Sequence, residues 1–98
     1  MSEQTKHPFT LAPKLINGRP VRAFWACIGF GERLVGATSE AVALKALGIS
    51  KAEKERHRFR ELSVRDDPRA YRCATSAPGV VFRRGHKNSD KRWRELKT

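Results

Sequence analysis

The feature that most constrains the fold of this chain is a nearly continuous apolar run, VRAFWACIGF, at residues 21–30. A strand with one face in water alternates apolar and polar residues, whereas an unbroken apolar run is typical of a strand buried on both faces. We therefore expect residues 21–30 to form a strand at the centre of a sheet.

Two further strands are predicted beside this run. Asn17 and Gly18 tolerate the positive φ angles of a type I′ turn, so they predict a hairpin in which a short strand at residues 15–16 folds back onto the run from Val21 onward. The sequence RLVGATS, at residues 33–39, follows a glycine-containing turn. It predicts a strand that pairs with the apolar run as an antiparallel hairpin.

A first helix is predicted at residues 39–47. Ser39 is a good N-cap, and Glu40 lies in the first turn, where the helix dipole favours a negative charge. The segment EAVALKAL is largely apolar. Gly48 follows it and is placed to end the helix in a left-handed conformation.

A second helix is predicted at residues 51–62. Ser50 and Glu53 have the spacing of a capping box, which marks a helix start. The apolar stripe of this segment is thin, and apolar and polar residues alternate from Phe59 onward. A strand that begins near Phe59 is therefore the alternative interpretation.

The junction between these two helices resembles the turn of helix-turn-helix proteins. Gly48, Ile49 and Ser50 match that turn in residue type and order. The second helix of such a motif needs apolar residues that point back at the first helix. Lys54 and His57 stand where those residues would fall, so a plain turn between helices is the expectation.

The last third of the chain predicts two strands and a helix. AYRCATS, at residues 70–76, alternates as a half-buried strand does, and the DDP before it is interpreted as a turn. VVFRR, at residues 80–84, predicts the returning strand. A last helix is expected from residue 88 or 89 to about 97, docked on the body through Trp93.

The predicted fold is a small α+β domain with an antiparallel sheet of four to five strands, in the order β-β-β-α-α-β-β-α, and with its helices packed on one face. Residues 1–12 are expected to be a flexible leader, and residues 13–98 the domain, which is the length of one small domain. The predicted core contains Phe24, Trp25, Ile28, Leu34, Val35, Val42, Leu44, Leu47, Phe59, Tyr71, Val81 and Phe82.

Cysteine usage and hydropathy favour a cytoplasmic protein. Cys27 and Cys73 lie in apolar, strand-like runs without the spacing of a zinc site, and no apolar run is long enough to predict a membrane span. Two isolated cysteines are typical of a reducing compartment, where they are small buried side chains.

The charge balance is the main functional signal. The chain has 21 Lys and Arg against 10 Asp and Glu, a formal net charge of +11. Residues 50–98 hold 15 of the basic and seven of the acidic side chains, and arginine dominates among them. A positive field of this kind attracts polyanions, and the planar guanidinium fork suits phosphate. We therefore expect a non-catalytic protein that binds DNA or RNA through the phosphate backbone.

The expected phosphate contacts come from two basic clusters. Trp93 lies within the first cluster and is expected either to stack on a base or to dock the C-terminal segment. The candidate contact residues are Arg83, Arg84, Lys87, Lys91, Arg92 and Arg94 in the C-terminal cluster, with Arg56, Arg58 and Arg60 in the middle of the chain.

The alternative function is a protein-interaction module. Such a module would be an adaptor or inhibitor, of the kind that phages and mobile elements encode, that docks on an acidic protein or a nucleoprotein complex. No catalytic signature and no cofactor motif is recognised, so an enzyme is not expected. The nearest approach to a metal site is His86 with Asn88 and Asp90, which lacks the other half of a nuclease centre.

Overall fold

The computed structural model describes residues 15–29, 31–85 and 92–96. A two-stranded hairpin, β1 (Leu15–Ile16) and β2 (Arg19–Pro20), precedes a five-stranded sheet. The strands of the sheet are β3 (Arg22–Ile28), β4 (Gly31–Ala37), β5 (Arg60–Leu62), β6 (Val81–Gly85) and β7 (Arg94–Glu95), and the helices are α1 (Glu40–Leu47) and α2 (Pro68–Ser76). The spatial order is β5-β3-β4-β6-β7, with all neighbours antiparallel. The prediction of an α+β domain is confirmed.

The apolar run forms the central part of the sheet, as predicted. β3 lies between β5 and β4, and Ala23, Phe24 and Ala26 on it are almost completely buried. Neighbouring residues of a strand point to opposite faces, so burial at both Ala23 and Phe24 means that both faces of β3 are covered.

The two helices cover opposite faces of the sheet, and the expectation that they share one face is wrong. Ala23 and Leu34 pack against Ala70 and Ala74 of α2. Phe24, the next residue along β3, belongs to the cluster that contains Ala43 of α1. The physical reason is the unbroken apolar run itself, because a strand that is apolar on both sides needs cover on both sides.

Local turn and cap signals are confirmed where they were read. Asn17 and Gly18 have φ angles of 53° and 78°, and they join β1 to β2. The expected pairing of β1 with the strand from Val21 is wrong, because the two-residue turn places Arg19 and Pro20 opposite β1 in a separate two-stranded sheet. The Oγ of Ser39 accepts a hydrogen bond from the Val42 N–H at the start of α1, and Gly48 ends the helix with φ 75°.

The second helix predicted for residues 51–62 does not form. The Glu53 carboxylate accepts a hydrogen bond from the Ser50 N–H, but only one 3-10 turn, Lys51–Glu53, follows. Arg58 has φ 53°, which ends any helical path, and the chain then pairs with the edge of β3 as β5. The alternative interpretation of a strand after Phe59 is the correct one, and without a second helix there is no helix-turn-helix.

Residues 70–76, predicted as a strand, belong to α2. Asp67 is the N-cap, whose carboxylate accepts a hydrogen bond from the Ala70 N–H, and Pro68 occupies the first turn. Both residues are typical of a helix N-terminus, so the interpretation of this segment as a turn is wrong. Ala70 and Ala74, four residues apart, are the fully buried positions of this helix, so the helical period is the correct one.

The N-cap of α2 carries a testable stability effect. Replacing Asp67 by alanine removes an acceptor for the Ala70 N–H, so the free energy of unfolding should fall by about 1 kcal/mol. Asparagine caps as well as aspartate does, so Asp67→Asn should change it by a few tenths at most. Urea denaturation of the two variants measures the difference, and equal losses would show that the cap does not stabilise α2.

The last predicted helix is wrong where it can be compared. Arg94 and Glu95 form β7, which pairs with β6 at the edge of the sheet. The strand forms because β6 offers an unpaired edge, whereas an isolated helix of this length is marginal in water. Residues 88–91 and 97, and the leader at residues 1–12, lie outside the described residues. Trp93 packs against the cluster beneath α2.

The buried core contains several alanines, whereas the predicted core contains none. Val42 is half exposed, at 50%, and is not a core residue. Phe24, Leu34, Val35 and Leu44 are buried as predicted, and the other predicted core residues, Trp25, Ile28, Leu47, Phe59, Tyr71, Val81 and Phe82, are partly buried. The predicted core omitted Val21, Ala23, Ala26, Ala37, Ala43, Ile49, Leu62, Ala70 and Ala74. Small side chains allow the helices to lie close to the sheet.

Candidate nucleic-acid interface

Three arginines lie side by side on neighbouring strands. Arg33 of β4 is the direct cross-strand partner of Arg83 of β6, and Arg83 is the partner of Arg94 of β7. Arg83 and Arg94 are exposed, and Arg33 is half-buried. We call Arg33, Arg83 and Arg94 the arginine row.

The arginine row lies on the face of the sheet that α1 covers. Val35 and Val81, two residues away on the same strands, pack in the cluster with Ala43 of α1. Because residues two apart in a strand share a face, Arg33 and Arg83 continue this face beyond the area where α1 packs.

Arginines that lie directly opposite each other place like charges on neighbouring strands, which by itself is unfavourable. The side chains of direct cross-strand partners are about 5 Å apart. A bound anion turns this mutual repulsion into attraction, and guanidinium groups bind phosphate oxygens through paired N–H donors. The arrangement is therefore typical of a surface that binds a polyanion.

Next to the arginine row, two glycines face each other on neighbouring strands. Gly31 and Gly85 are cross-strand partners one step nearer the β3–β4 turn. The guanidinium of Arg33 folds over Gly31, where a Cβ would lie 3.3 Å from its Nη1, and the same nitrogen donates to the Glu32 carbonyl oxygen at 3.2 Å. A depression of about 330 Å³ reaches from Ile28 and these glycines to the arginines. It allows a ligand to approach the backbone closely.

The opposite face holds a half-buried ion pair. Arg84, the neighbour of Arg83, donates from Nε and Nη2 to the Glu32 carboxylate at 3.2 and 2.9 Å, and the indole N–H of Trp25 donates to the same carboxylate at 2.8 Å. The Arg84 guanidinium lies 4.2 Å from the centre of the Trp93 ring. The indole N–H of Trp93 is buried and finds no acceptor among the described residues. Arg84 therefore holds β4, β6 and the C-terminal segment together.

Removing the Glu32 carboxylate should be costly. The Glu32→Ala substitution leaves two half-buried donors without their acceptor, so it should lower the free energy of unfolding by about 1–3 kcal/mol. The exposed Arg22–Glu61 pair, at 2.8 Å, is the matched control, and Glu61→Ala should cost less than about 1 kcal/mol. Urea denaturation compares them, and equal losses would contradict the special role of the inner pair.

The structure separates the arginines that the sequence grouped together. Arg83 and Arg94 belong to the arginine row, whereas Arg84 lies on the other face in an ion pair. Arg92 is exposed and borders the same surface hollow as Trp93 and Arg94. Lys87 and Lys91 lie outside the described residues.

The middle cluster is also divided. Arg56 and Arg58 are exposed on the turns after the 3-10 segment. Arg60 lies on β5, with its guanidinium 6.0 Å from the centre of the Trp25 ring. Nearby Lys54 forms an ion pair with Glu40 of α1, which ties the turn to the helix. Because Arg60 is the cross-strand partner of Trp25, it lies on the face of the sheet opposite the arginine row.

Arg33 is the member of the arginine row that sequence reasoning missed. It follows the glycine turn in a strand that was correctly predicted, so its face is set by alternation with Val35. Its position opposite Arg83 depends on the pairing of β4 with β6, which are far apart in sequence. The alternation of residues along β4 predicts the face on which Arg33 lies, but the sequence does not show the pairing register of β4 with β6.

The described histidine, His57, and one of the two cysteines, Cys73, lie in structural surroundings. Nδ1 of His57 lies 3.1 Å from the Cys27 carbonyl oxygen, in the pairing of this segment with β3. Burial raises the pKa of the Cys73 thiol, which keeps it protonated at neutral pH. Within residues 15–29, 31–85 and 92–96, no group of three His, Cys, Asp or Glu side chains has the arrangement of a metal site. His86, Asn88 and Asp90 lie outside these ranges.

Fold and surface define this chain as a small basic α+β sheet protein with arginines across three strands. Comparison with protein-family models, with characterised proteins and with solved structures gave no match. Neither helix that the structure describes has the length and apolar character to cross a bilayer.

Proposed function

We propose that this protein is a non-catalytic nucleic-acid-binding protein that contacts the phosphate backbone with the arginine row. The observation that carries the proposal is the direct opposition of Arg33, Arg83 and Arg94 on neighbouring strands. Phosphates are the anions that a chain of net charge +11 meets most densely along DNA and RNA.

The dimensions of the arginine row suit a sugar–phosphate backbone. Neighbouring strands lie about 4.8 Å apart, so three of them present guanidinium groups over roughly 10 Å. Beside the row, Gly85 is exposed and has no side chain, and the Arg33 guanidinium lies over its partner Gly31. Phosphate contacts of this kind position a nucleic acid and do not read its sequence.

A salt series tests the proposal directly. Fluorescence anisotropy with labelled duplex DNA, single-stranded DNA and RNA should give binding whose log Kd rises steeply with log salt, because counterions are released. With about three phosphates neutralised by the row, the slope should be at least about 2 for single strands. If none of the three polymers binds at low salt, the proposal is refuted.

The protein-interaction module remains the second candidate because of one surface feature. Leu15 and Ile16, on the first hairpin, are 60% and 40% exposed, and adjacent apolar residues of this kind favour a protein contact. This candidate predicts that Leu15→Ser with Ile16→Ser abolishes binding of an acidic protein partner and leaves nucleic-acid binding unchanged. Loss of nucleic-acid affinity in that variant would assign the hairpin to the first function instead.

A further inference from the structure

A second hollow lies on the face of the sheet opposite the arginine row. It has a volume of about 180 Å³ and lies at the start of α2. It is lined by an aromatic residue, a leucine, two arginines and three acidic residues: Trp25, Leu62, Arg60, Arg84, Glu32, Asp66 and Asp67. This hollow is concave and combines an aromatic ring with polar groups, which is the composition of a small-ligand site. We call it the base slot.

The Trp25 ring and the Arg60 guanidinium form the sides of the base slot. The centre of the ring and the guanidinium carbon are 6.0 Å apart, against 4.2 Å for Arg84 and Trp93. A flat ring inserted between two flat groups needs about 3.5 Å on each side. An opening of roughly 1 Å therefore lets a planar ring stack on both groups, and the long Arg60 side chain is free to make that movement.

The far end of the base slot accepts hydrogen bonds. One oxygen of Asp66 accepts from the Ser63 N–H at 2.8 Å, and one oxygen of Asp67 accepts from the Ala70 N–H at 3.1 Å. Hydrogen bonds from the Ser63 backbone and side chain hold the pKa of Asp66 below its ordinary value, so this carboxylate is ionised at neutral pH. Within the described residues, the second oxygen of Asp67 makes no hydrogen bond, and Asp66 is exposed, so its carboxylate reaches solvent.

We infer that the base slot binds an unpaired guanine of a single-stranded nucleic acid. Carboxylates only accept, so the bound edge must donate. The Watson–Crick edge of guanine presents N1–H beside the N2 amino group, two neighbouring donors. Adenine and cytosine each place an acceptor beside their amino group, and uracil has one N–H between two carbonyls. Guanine is therefore the base whose edge matches a pair of carboxylate oxygens.

The slot favours a neutral base over an arginine side chain of a protein partner. A guanidinium also donates to carboxylates and stacks on tryptophan. In this slot Asp66 and Asp67 would attract a guanidinium, but its stacking place lies against Arg60, which carries the same charge, so an arginine-containing peptide is one arm of the test below. A neutral purine instead gains contact with both Trp25 and Arg60, which stack on bases in single-strand recognition.

A route for the strand joins the base slot to the arginine row. Arg84 borders both the base slot and the depression beside the row. Gly29, which follows β3, lines that depression, is exposed and has no side chain. A flexible single strand can pass around this end of the sheet, whereas a duplex is too stiff and hides its Watson–Crick edges. This inference rests on the proposed function, which supplies the phosphate contacts.

The test uses the full chain and uridine tracts of about nine nucleotides, the length that a small domain covers. The central position is guanine, adenine, cytosine, uracil or hypoxanthine, in RNA and in the matching DNA series. Anisotropy should show the guanine oligonucleotide binding at least about tenfold more tightly than the adenine, cytosine and uracil ones. Hypoxanthine, which lacks the N2 amino group, should fall between them. The RNA and DNA series show whether the sugar contributes.

A variant pair separates the base slot from the arginine row. Asp66→Asn with Asp67→Asn places donors where guanine needs acceptors and keeps an N-cap on α2. It should remove the preference for guanine, whereas the loss of two negative charges should raise the affinity for the uridine tract only severalfold through the long-range field. In a Trp93→Phe background, the emission of Trp25 should be quenched by the guanine oligonucleotide in the parent and not in the Asp66→Asn, Asp67→Asn variant.

Three other results of these experiments would each refute a different part of the proposal. Equal affinity of the wild-type protein for all five oligonucleotides would refute the base slot, without recourse to any variant, and would leave the phosphate contacts standing. Quenching of Trp25 by an arginine-containing peptide but not by the guanine oligonucleotide would assign the slot to a protein ligand. Absence of binding to every oligonucleotide at low salt would refute the proposed function itself.

Discussion

Replacing Arg33 and Arg83 together by glutamine should lower the affinity for nucleic acid by about a hundredfold at low salt. Each guanidinium–phosphate contact is a charge-assisted hydrogen bond of about 1.5–3 kcal/mol, so two of them account for a loss of this size. The log–log salt slope should become less steep by about 2, because two fewer phosphates are neutralised. The loss should be similar for every sequence, since the row contacts phosphates alone.

A matched control removes the same charge elsewhere. Arg19 on β2 and Arg72 on α2 are both exposed, and neither lies in the arginine row. Arg19→Gln with Arg72→Gln changes the net charge equally, so it should alter affinity only severalfold through the long-range field. Thermal unfolding shows whether both variants are folded. Equal losses in the two double variants would mean that net charge, and not the arginine row, determines binding.

The largest stability effect is expected at Gly36, a buried residue of β4. A Cβ at this position would lie 2.1 Å from the carbonyl oxygen of Ala74 in α2 and 3.2 Å from Val21. The first contact is with backbone, so the clash is relieved only if the helix moves away from the sheet. Gly36→Ala should therefore lower the free energy of unfolding by about 3 kcal/mol or more. For a domain of this size, that corresponds to a fall in Tm of roughly 15 °C.

The control for Gly36→Ala adds one atom where there is space. Ala41→Ser, at an exposed position of α1, should change the free energy of unfolding by less than about 0.5 kcal/mol. Circular dichroism during thermal unfolding measures both variants. A Tm for Gly36→Ala within a few degrees of the wild type would mean that α2 does not pack against β4 as closely as the structure has it.

Local signals predicted the first half of the fold well. Asn17 and Gly18 adopt the positive φ angles that their side chains allow, and Ser39 and Gly48 begin and end α1. These signals act within three or four residues, so the sequence shows them without knowledge of which distant segment packs against them. The Asp67–Pro68 start of α2 was equally local, but the same residue types also begin turns.

The elements that were missed depend on distant partners. β5 holds three residues of no marked strand preference, and it forms because the edge of β3 offers Ala23 and Trp25 as pairing partners. β7 forms along β6 for the same reason. The sequence predicts a helix in both segments. Ser50 and Glu53 have helical spacing before β5, and Trp93 and Leu96 have it around β7. Pairing with an existing sheet edge outweighs a thin apolar stripe.

By itself, the sequence determined that this chain has a strand buried on both faces, a basic second half and a run of arginines near its end. Only the tertiary structure decided which arginines meet. Strand alternation sends Arg83 and Arg84 to opposite faces, where one joins Arg33 and Arg94 in a row and the other pairs with Glu32. The reason is that the sequence shows which residues are charged, whereas the pairing register of the strands decides which of them become neighbours on one surface. Register is set by contacts between strands that lie about 50 residues apart.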